Sequence, residues 1–200
     1  MESLIYQKKK ALNEYLCDDL ITMFELEQVN HRQGTTLGGI NTDIKDTTDI
    51  TFSNTSSTYW ANCSKHITTI LYEHLKEWRK QFKLSETDRY AMPGHLTLNN
   101  SYLLQKYEKN SGKYTYHDDF AISNTREHRV ASFIFYLNTV ELGGETEFMD
   151  SFKIKPEKGS LILFPACWVY YHRGKMPVSN SKYIITGWLY NNAYASINVE

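Results

Sequence analysis

The sequence predicts a mainly β fold with flanking helices, in which short strands form a double-sheet barrel or jelly roll. From about Leu96 onward, short segments rich in β-branched and aromatic residues recur at roughly even spacing. Turn signals separate these segments, among them Gly143-Gly144 and the Pro-Glu-Lys-Gly sequence at 156–159. Before Leu96, two longer segments carry apolar residues at helical spacing, so we expect N-terminal helices packed on one sheet.

The first helix is predicted over residues 5–28, where apolar residues recur close to helical spacing. Residues 30–58 are instead rich in Thr, Ser, Asn, Asp and Gly, which predicts a loop with one short strand near 48–52. Because long polar loops in compact domains often act as lids or binding loops, we expect this loop to shape a substrate entrance. The apolar residues of the predicted helix are Leu12, Leu16, Leu20, Met23 and Phe24.

A second helix is predicted over residues 59–82, and a polar break separates it from the strands. No internal repeat or strong linker divides the chain, so we expect one domain over residues 1–200. Within it, residues 1–95 would give helical support and residues 96–195 the jelly-roll core. The apolar stripe of the second helix is Trp60, Ile67, Ile70, Leu71, Leu75 and Trp78. The expected strands are residues 101–107, 114–117, 129–137, 145–148, 159–164, 169–172 and 183–190.

Composition and charge narrow the class of protein. The chain has 200 residues, 41% hydrophobic, and a formal net charge of −1, which is typical of a globular protein and does not indicate nucleic-acid binding. No apolar stretch approaches the roughly 18 residues needed to span a membrane. The N-terminal lysine run has no apolar segment after it, so no signal peptide is predicted. Three widely spaced cysteines favour a reducing compartment, and we expect a cytoplasmic location.

One set of polar residues, His117, Asp119 and His172, has the composition of a metal site. His117 and Asp119 are two residues apart, and on a strand such residues point to the same face. His172 follows the apolar run at 161–164. Two histidines and one carboxylate, with three coordination positions left open, are the ligand set of non-haem Fe(II) oxygenases. Lys182 opens another strand-like run and suggests an anchor for a carboxylate cosubstrate.

The residue types alone leave the identity of the metal open. A catalytic zinc ion also uses two histidines and one carboxylate in some proteins. A structural zinc site is disfavoured, because Cys17, Cys63 and Cys167 lie far apart in the sequence. The other histidines have no partner at metal-like spacing and are interpreted as surface or structural residues. Asp118 would point away from its neighbours on a strand, so we expect it to face solvent or to support the ligands.

The segment from Ser101 to Asn191 resembles the 2-oxoglutarate/Fe(II) dioxygenases of the prolyl 4-hydroxylase type. Both the order and the spacing of the matching motifs agree with the family pattern, over a little under half of the chain. Such a resemblance implies a double-stranded β-helix, the jelly roll of these enzymes, as the catalytic core. The matching motifs are residues 112–119, 133–138, 143–148, 154–159, 164–165 and 171–188.

The resemblance also implies the ligands of iron and of the cosubstrate. His117, Asp119 and His172 would be the three iron ligands. Lys182 would pair with the distal carboxylate of 2-oxoglutarate. Some close relatives carry arginine as this basic residue, and lysine is the choice of the collagen-type enzymes.

Other residues match family positions around the cosubstrate and the substrate. Thr186 and Tyr136 would hydrogen-bond the same distal carboxylate. Tyr107 and Trp188 would line the pocket. The basic residue at a position that contacts substrate in some relatives would be Arg126, with Arg129 as its competitor.

By resemblance, the protein would hydroxylate a C–H bond and convert 2-oxoglutarate into succinate and CO2. Fe(II), 2-oxoglutarate and O2 are the implied cofactors, and ascorbate is allowed as an accessory. A prolyl residue of a peptide or protein is the expected substrate. Two alternatives stay open: an oxygenase of the same fold acting on a small molecule or a non-prolyl side chain, and a non-catalytic jelly-roll binding module. The intact ligand set and Lys182 argue against the binding module.

Overall fold

The computed structural model describes residues 4–82, 96–98, 101–122, 127–149 and 152–192, which form two antiparallel sheets and two α-helices. The helices are α1 (Glu14–Leu26) and α2 (Thr58–Lys80). The major sheet contains β1 (Tyr6–Lys8), β2 (Arg32–Gln33), β4 (Thr48–Ser53), β5 (Thr97–Leu98), β6 (Ser101–Tyr107), β8 (Glu127–Tyr136), β11 (Leu161–Pro165) and β13 (Lys182–Asn192). The minor sheet contains β3 (Lys45–Asp46), β7 (Lys113–His117), β9 (Thr146–Phe148), β10 (Phe152–Ile154) and β12 (His172–Gly174).

Both sheets have strand orders in which sequence neighbours are separated. The major sheet runs β1-β11-β8-β13-β6-β4-β2, with β5 paired to β13, and the minor sheet runs β10-β9-β12-β7-β3. Residues of both sheets line one internal cavity, so the two sheets face each other across it. The predicted fold class, a jelly roll with flanking helices, is therefore confirmed.

The two helices cover the outer face of the major sheet. The buried residues of α1 are Cys17, Leu20 and Phe24, which lie in one apolar cluster with Phe133 and Phe135 of β8. The buried residues of α2 join the same cluster. Burial of so many large apolar side chains supplies the main driving force for holding the helices on the sheet.

The predicted first helix was too long at its N-terminal end. Helix α1 begins only at Glu14, after Asn13, whose side chain accepts a hydrogen bond from the backbone N–H of Tyr15. Residues Tyr6–Lys8 form strand β1 and pair with β11, with Gln7 opposite Ile162. These residues are a strand because they pair with β11, which is distant in the sequence. The spacing of a few apolar residues could not distinguish this strand from the start of a helix.

The loop predicted at residues 30–58 contributes more strands than expected. The strand near 48–52 is confirmed as β4, and it pairs along its length with β6. Strand β3 pairs with β7 of the minor sheet, while β2 pairs with β4 of the major sheet. Only Thr47 separates β3 from β4, so the chain passes directly from one sheet to the other here.

Most other predicted elements agree with the structure. Helix α2 and the strand at Ser101–Tyr107 lie where the sequence placed them. The strand expected at 169–172 was wrong, because Trp168–Tyr170 form a 3-10 turn and β12 begins at His172. In the described part of the chain, no helix is long and apolar enough to cross a membrane.

Candidate active site

The residues His117, Asp119 and His172 meet at one end of the minor sheet. His117 is the last residue of β7, and His172, the first residue of β12, lies directly opposite it. Asp119 follows β7 by two residues and approaches both imidazoles, with its oxygens 3.8 Å from His117 Nε2 and 3.7 Å from His172 Nε2. One ligand atom from each residue can be chosen so that all lie within 4.8 Å of one another. The three residues could therefore hold one metal ion.

Hydrogen bonds hold each of these side chains in the orientation that a metal ion requires. Nδ1 of His117 lies 2.8 Å from the carbonyl oxygen of Thr115, and Nδ1 of His172 lies 2.9 Å from that of Tyr170. A carbonyl oxygen only accepts, so each Nδ1 carries the proton and each Nε2 is free to bind a metal. The hydroxyl of Ser132 donates to Asp119 Oδ2 at 2.6 Å and leaves Oδ1 for coordination.

The protonation states of this cluster suit a divalent cation. Burial, with a further contribution from His172, lowers the pKa of His117 to about 4, so its imidazole is neutral at physiological pH. Burial alone would raise the pKa of Asp119, but His172, His117 and the Ser132 hydroxyl hold it below its ordinary value. Metal ligands must be deprotonated, and the lowered pKa values of His117 and Asp119 favour that state. The donor set therefore fits Fe(II) or another borderline divalent metal.

Aromatic rings enclose the two imidazoles. Tyr114 stacks on His117 with ring centroids 3.6 Å apart, and Phe164 meets His172 edge-on at 4.9 Å. Phe148 contacts His172 from another side at 5.4 Å. This shell fixes the rings and excludes water from the side of the cluster that faces the barrel core.

A cavity of about 490 Å³ lies between the sheets and brings the cluster together with Lys182. The side chain of Lys182 is 1% exposed, and its Nζ donates a hydrogen bond to the carbonyl oxygen of Gly144 at 3.0 Å. Nζ also lies 3.9 Å from the ring centroid of Tyr107, which is the cross-strand neighbour of Lys182. Burial lowers the pKa of Lys182 to about 7. Among the described residues no carboxylate lies within ion-pair distance of this ammonium, so the position favours an anionic ligand.

The two hydroxyl residues expected near the cosubstrate differ in their access to the cavity. Thr186 lines the cavity, and its hydroxyl donates to the carbonyl oxygen of Phe133 at 2.9 Å. Tyr136 is completely buried and donates to Thr146 Oγ1 at 2.7 Å. Of that pair, Thr146 is the residue that lines the cavity.

Trp188 and Arg129 form another part of the cavity wall. The guanidinium of Arg129 stacks on the indole, 3.6 Å from its ring centroid, and its Nε donates to the hydroxyl of Tyr190 at 3.4 Å. The expected substrate residue, Arg126, lies outside the described residues. Arg129, its competitor, is the arginine that lines the cavity in the described part of the chain.

Asp118 and two of the other histidines agree with the expectations from the sequence. Asp118 is exposed, as expected, and its carboxylate accepts a hydrogen bond from the backbone N–H of Phe120 at 3.0 Å. His31 stacks on Phe24, and His74 lies 3.0 Å from the hydroxyl of Tyr6, so both are structural.

A second polar group in the cavity wall was not predicted from the sequence. Lys45, Asp49 and Gln105 all line the cavity and are almost completely buried. A signal was present for Gln105, which stands between Leu103 and Tyr107 on one face of β6, whereas Asp49 has threonines as its same-face neighbours. Their cross-strand pairing, which joins residues far apart in sequence, could not be read from either strand alone.

A cavity between two sheets that brings together two histidines, one carboxylate and a buried lysine has the donor set of the non-haem Fe(II) oxygenases. Residues 102–190 match the model of the 2OG-Fe(II) oxygenase superfamily. The matched stretch is a little under half of the 200-residue chain and contains His117, Asp119, His172 and Lys182. Fe(II), 2-oxoglutarate and O2 are the cofactors of that superfamily.

Comparison with solved structures supports the fold. A viral collagen prolyl hydroxylase from Paramecium Bursaria Chlorella virus-1, in complex with 2OG, is 17% identical with a TM-score of 0.67, covering 94% of this chain and 97% of that one. A Trichoplax adhaerens prolyl hydroxylase with a hypoxia inducible factor peptide fragment is 15% identical with a TM-score of 0.69, covering 99% and 88%.

A Pseudomonas putida prolyl-4-hydroxylase is also similar, with 15% identity, a TM-score of 0.67 and coverage of 94% of this chain and 92% of that one. At these identities the likeness establishes the fold. No curated protein matches the sequence.

Proposed function

We propose that this protein hydroxylates a prolyl residue of a peptide or protein, using Fe(II) held by His117, Asp119 and His172 and 2-oxoglutarate as cosubstrate. The observation that carries the proposal is the shared cavity, in which a metal-binding cluster and a completely buried lysine face one another. When bound, the metal and 2-oxoglutarate supply the O2-dependent oxidation that forms succinate and CO2 and adds one oxygen to the substrate.

Lys182 is the proposed anchor of the distal carboxylate of 2-oxoglutarate. One of its three N–H groups is used by the carbonyl oxygen of Gly144, which leaves two for a carboxylate. Burial strengthens such a charge-assisted bond, because little water competes for it. Thr186 lies on the same strand, and its single O–H, which donates to the carbonyl oxygen of Phe133, would have to turn to donate to the carboxylate.

Tyr136, Tyr107 and Trp188 complete the proposed cosubstrate pocket. Tyr107 covers the lysine ammonium with its ring, which shields the charge pair from water. Tyr136 would act through its bond to Thr146, since Thr146 is the residue exposed to the cavity. Trp188 supplies a wall of the cavity, and the guanidinium of Arg129 lies against its ring.

A chain-like substrate is favoured by the apolar residues at the cavity entrance. Leu37, Ile44 and Phe120 line the cavity, yet their side chains are 88%, 41% and 50% exposed. Exposed apolar side chains grouped at a pocket mouth are typical of surfaces that contact a macromolecular ligand. Arg129, held against Trp188, is the proposed polar contact to that chain. The Trichoplax neighbour, described in complex with a peptide fragment, supports the same class of substrate.

The test is a panel of proline-containing peptides and free metabolites, scored by mass spectrometry for the gain of one oxygen and for matching succinate release. We expect oxygen gain on a peptide prolyl residue. His172→Ala serves as the control, because it removes one ligand from a cluster of three. Oxygen gain on a free metabolite or a non-prolyl side chain, with none on any proline peptide, would replace the prolyl assignment with the alternative oxygenase.

A further inference from the structure

A buried charged cluster in the cavity wall is not used by the metal or by the cosubstrate anchor. It consists of Lys45, Asp49 and Gln105, whose exposed fractions are 5%, 6% and 3%. Lys45 Nζ lies 3.1 Å from Asp49 Oδ2, and Gln105 Nε2 donates to the same oxygen at 2.9 Å. All three residues line the cavity. Charged groups are rarely buried to this extent without a specific role.

The carboxylate of Asp49 has one oxygen to spare. Both neighbours, Lys45 and Gln105, bond to Oδ2, whereas Oδ1 is buried and has no hydrogen-bond partner within the described part of the chain. A buried acceptor without a donor is costly, and a ligand that provides the donor recovers that cost. Asp49 therefore presents an unmet hydrogen-bond acceptor at the cavity.

The cluster is separated from the cosubstrate anchor. Asp49 of β4 lies opposite Gln105 of β6, which in turn lies opposite Ile184 of β13. Lys182 is in the neighbouring cross-strand row, opposite Tyr107. Two strand spacings, roughly 10 Å, separate β4 from β13. A ligand group at Asp49 therefore lies well to one side of a carboxylate bound at Lys182.

The cluster is also linked to the entrance loop. Lys45 Nζ donates to the carbonyl oxygen of Thr35 at 3.3 Å, and Thr35, Thr36 and Leu37 line the same cavity. The backbone passes so close to this lysine that a Cβ at Gly34 would collide with Thr47 Oγ1 and approach the lysine side chain. The loop that carries the exposed apolar rim is thus fixed to the residue that holds Asp49.

The chemistry of the spare oxygen restricts its ligand. 2-Oxoglutarate offers only acceptors, so it cannot satisfy Asp49 Oδ1. A cationic group is disfavoured, because Asp49 is already paired with the ammonium of Lys45 at 3.1 Å. A neutral N–H donor meets both conditions, and a peptide backbone supplies one at most residues.

We propose that Asp49 is a specificity-determining residue that accepts a hydrogen bond from a backbone N–H of the substrate chain. The proposal rests on the proposed peptide hydroxylation, and it adds the chemical group by which the chain is recognised. Lys45 and Gln105 are positioning residues, since they bond to Oδ2 and leave Oδ1 without a partner among the described residues. A metabolite without a suitably placed N–H would leave this acceptor unpaired and would be rejected.

Asp49→Asn gives the sharpest variant, because asparagine has a single acceptor oxygen. Lys45 and Gln105 both donate to the position of Oδ2, so the amide oxygen is drawn to that side. The amide NH₂ then occupies the position of Oδ1. It faces the N–H of the substrate with a second N–H donor, so no hydrogen bond can form there. Asp46→Asn is the matched control, because Asp46 is near in sequence but bonds to Gln33 instead.

The probe is a ten-residue alanine-based peptide with one central proline, together with derivatives that are N-methylated at one backbone position each. Binding is measured by fluorescence anisotropy on Fe(II)- and 2-oxoglutarate-loaded protein without O2, so that no turnover occurs. We expect one N-methyl position to weaken binding to the wild type by roughly tenfold or more, as for a lost bond to a charged acceptor. Asp49→Asn should bind the unmodified peptide equally weakly and lose that position-specific penalty, whereas Asp46→Asn should behave as the wild type.

Three outcomes overturn the inference. The first is an N-methyl penalty that persists unchanged in Asp49→Asn, and the second is the absence of any sensitive position in the wild type. The third is an equal loss of 2-oxoglutarate affinity in Asp49→Asn, which would make Asp49 a support of the whole cavity. If Asp49→Asn does not fold, the double variant Lys45→Met/Asp49→Leu removes both buried charges together and should lose the same penalty.

Failure of the proposed function gives a different result. In that case the wild type hydroxylates and binds none of the proline peptides, while oxygen is added to another class of compound. Hydroxylated peptides with unaltered recognition in Asp49→Asn would instead leave prolyl hydroxylation intact and remove only the role of Asp49.

Discussion

The two faces of the major sheet have different compositions and different tasks. On the face that meets α1 and α2, the buried cluster is almost entirely apolar, with large side chains such as Trp78, Phe133 and Phe135. On the face that meets the minor sheet, the cluster is smaller and contains Tyr107, Tyr136 and Tyr170. The buried polar residues His172, Lys182 and Asp49 lie in this second layer or on its cavity.

Strand β8 shows how one segment serves both faces. Phe133 and Phe135 belong to the helix-side cluster, while Ile134 and Tyr136 belong to the barrel-side cluster. Ser132, on the barrel side by the same alternation, bonds to Asp119. Stability and chemistry are therefore assigned to alternate residues of one strand, and substitutions on the two faces should have separable effects.

The largest expected effect is the loss of turnover when a metal ligand is removed. His117→Ala, Asp119→Ala and His172→Ala should each abolish 2-oxoglutarate turnover, because each residue supplies one of only three protein ligands. Iron binding should fall, while circular dichroism stays native-like, since the cluster lies apart from the helix-side core. Full turnover by any one variant would exclude that residue from the metal site.

The next effect is on the helix side of the same sheet. Phe135→Ala should lower the free energy of unfolding by about 3–5 kcal/mol, because the side chain is completely buried and leaves a cavity. Denaturant unfolding measures this loss, and Phe135→Leu should cost clearly less. The fraction that remains folded should bind 2-oxoglutarate as the wild type does. A parallel loss of affinity would show that the two faces are coupled.

A smaller effect is expected when the cosubstrate anchor is truncated. Lys182→Ala should raise the KM for 2-oxoglutarate by a factor of roughly 30 to 150, since a buried charge-assisted bond contributes about 2–3 kcal/mol. Iron binding should be retained, which distinguishes this variant from the ligand variants. If the KM does not change, the cation that binds the carboxylate lies elsewhere, with Arg129 and Arg173 as the next residues to test.

The smallest effect is a dependence of cosubstrate affinity on pH. Burial depresses the pKa of Lys182 from 10.5 to about 7, so above that pH the free site is increasingly neutral. Binding of the dianion then requires uptake of a proton, and the Kd for 2-oxoglutarate should rise by up to about tenfold per pH unit. Below pH 7 the lysine is already charged and this dependence disappears.

The lowered pKa of Lys182 also affects the free energy of unfolding. This free energy rises with pH over the range in which the affinity for 2-oxoglutarate falls. Between about pH 7 and 10.5 the unfolded chain holds a proton on Lys182 that the folded protein has lost, so Lys182 makes folding more favourable as pH rises there. Lys182→Arg is the control for both measurements, because a guanidinium stays charged across this range. A pH-dependent Kd in Lys182→Arg as steep as in the wild type would assign the effect to another group.

On the side of the major sheet that faces the cavity, the site residues were predicted better from the sequence than the pairing of the strands that carry them. That His117, Asp119, His172 and Lys182 lie on one cavity could be predicted because the order and spacing of several motifs agree, and α2 could be predicted because its apolar stripe is long. Strand β1 could not be found, since a three-residue segment acquires its structure only by pairing with β11. The buried cluster around Asp49 was not predicted for a related reason. Its partners, Gln105 and Lys45, come from two other strands.

Thr47 is the single residue between β3 and β4, where the chain passes from one sheet to the other. The ion pair between Lys45 and Asp49 joins the two sheets at this point. Lys45 belongs to the minor sheet and Asp49 to the major sheet, so their contact fastens the two walls at the edge next to the entrance. A substitution in residues 45–49 should therefore alter both the contact between the two sheets and the selectivity of the cavity for its ligands. A substitution here that changes substrate selectivity therefore also changes the contact between the two sheets, so the two properties evolve together.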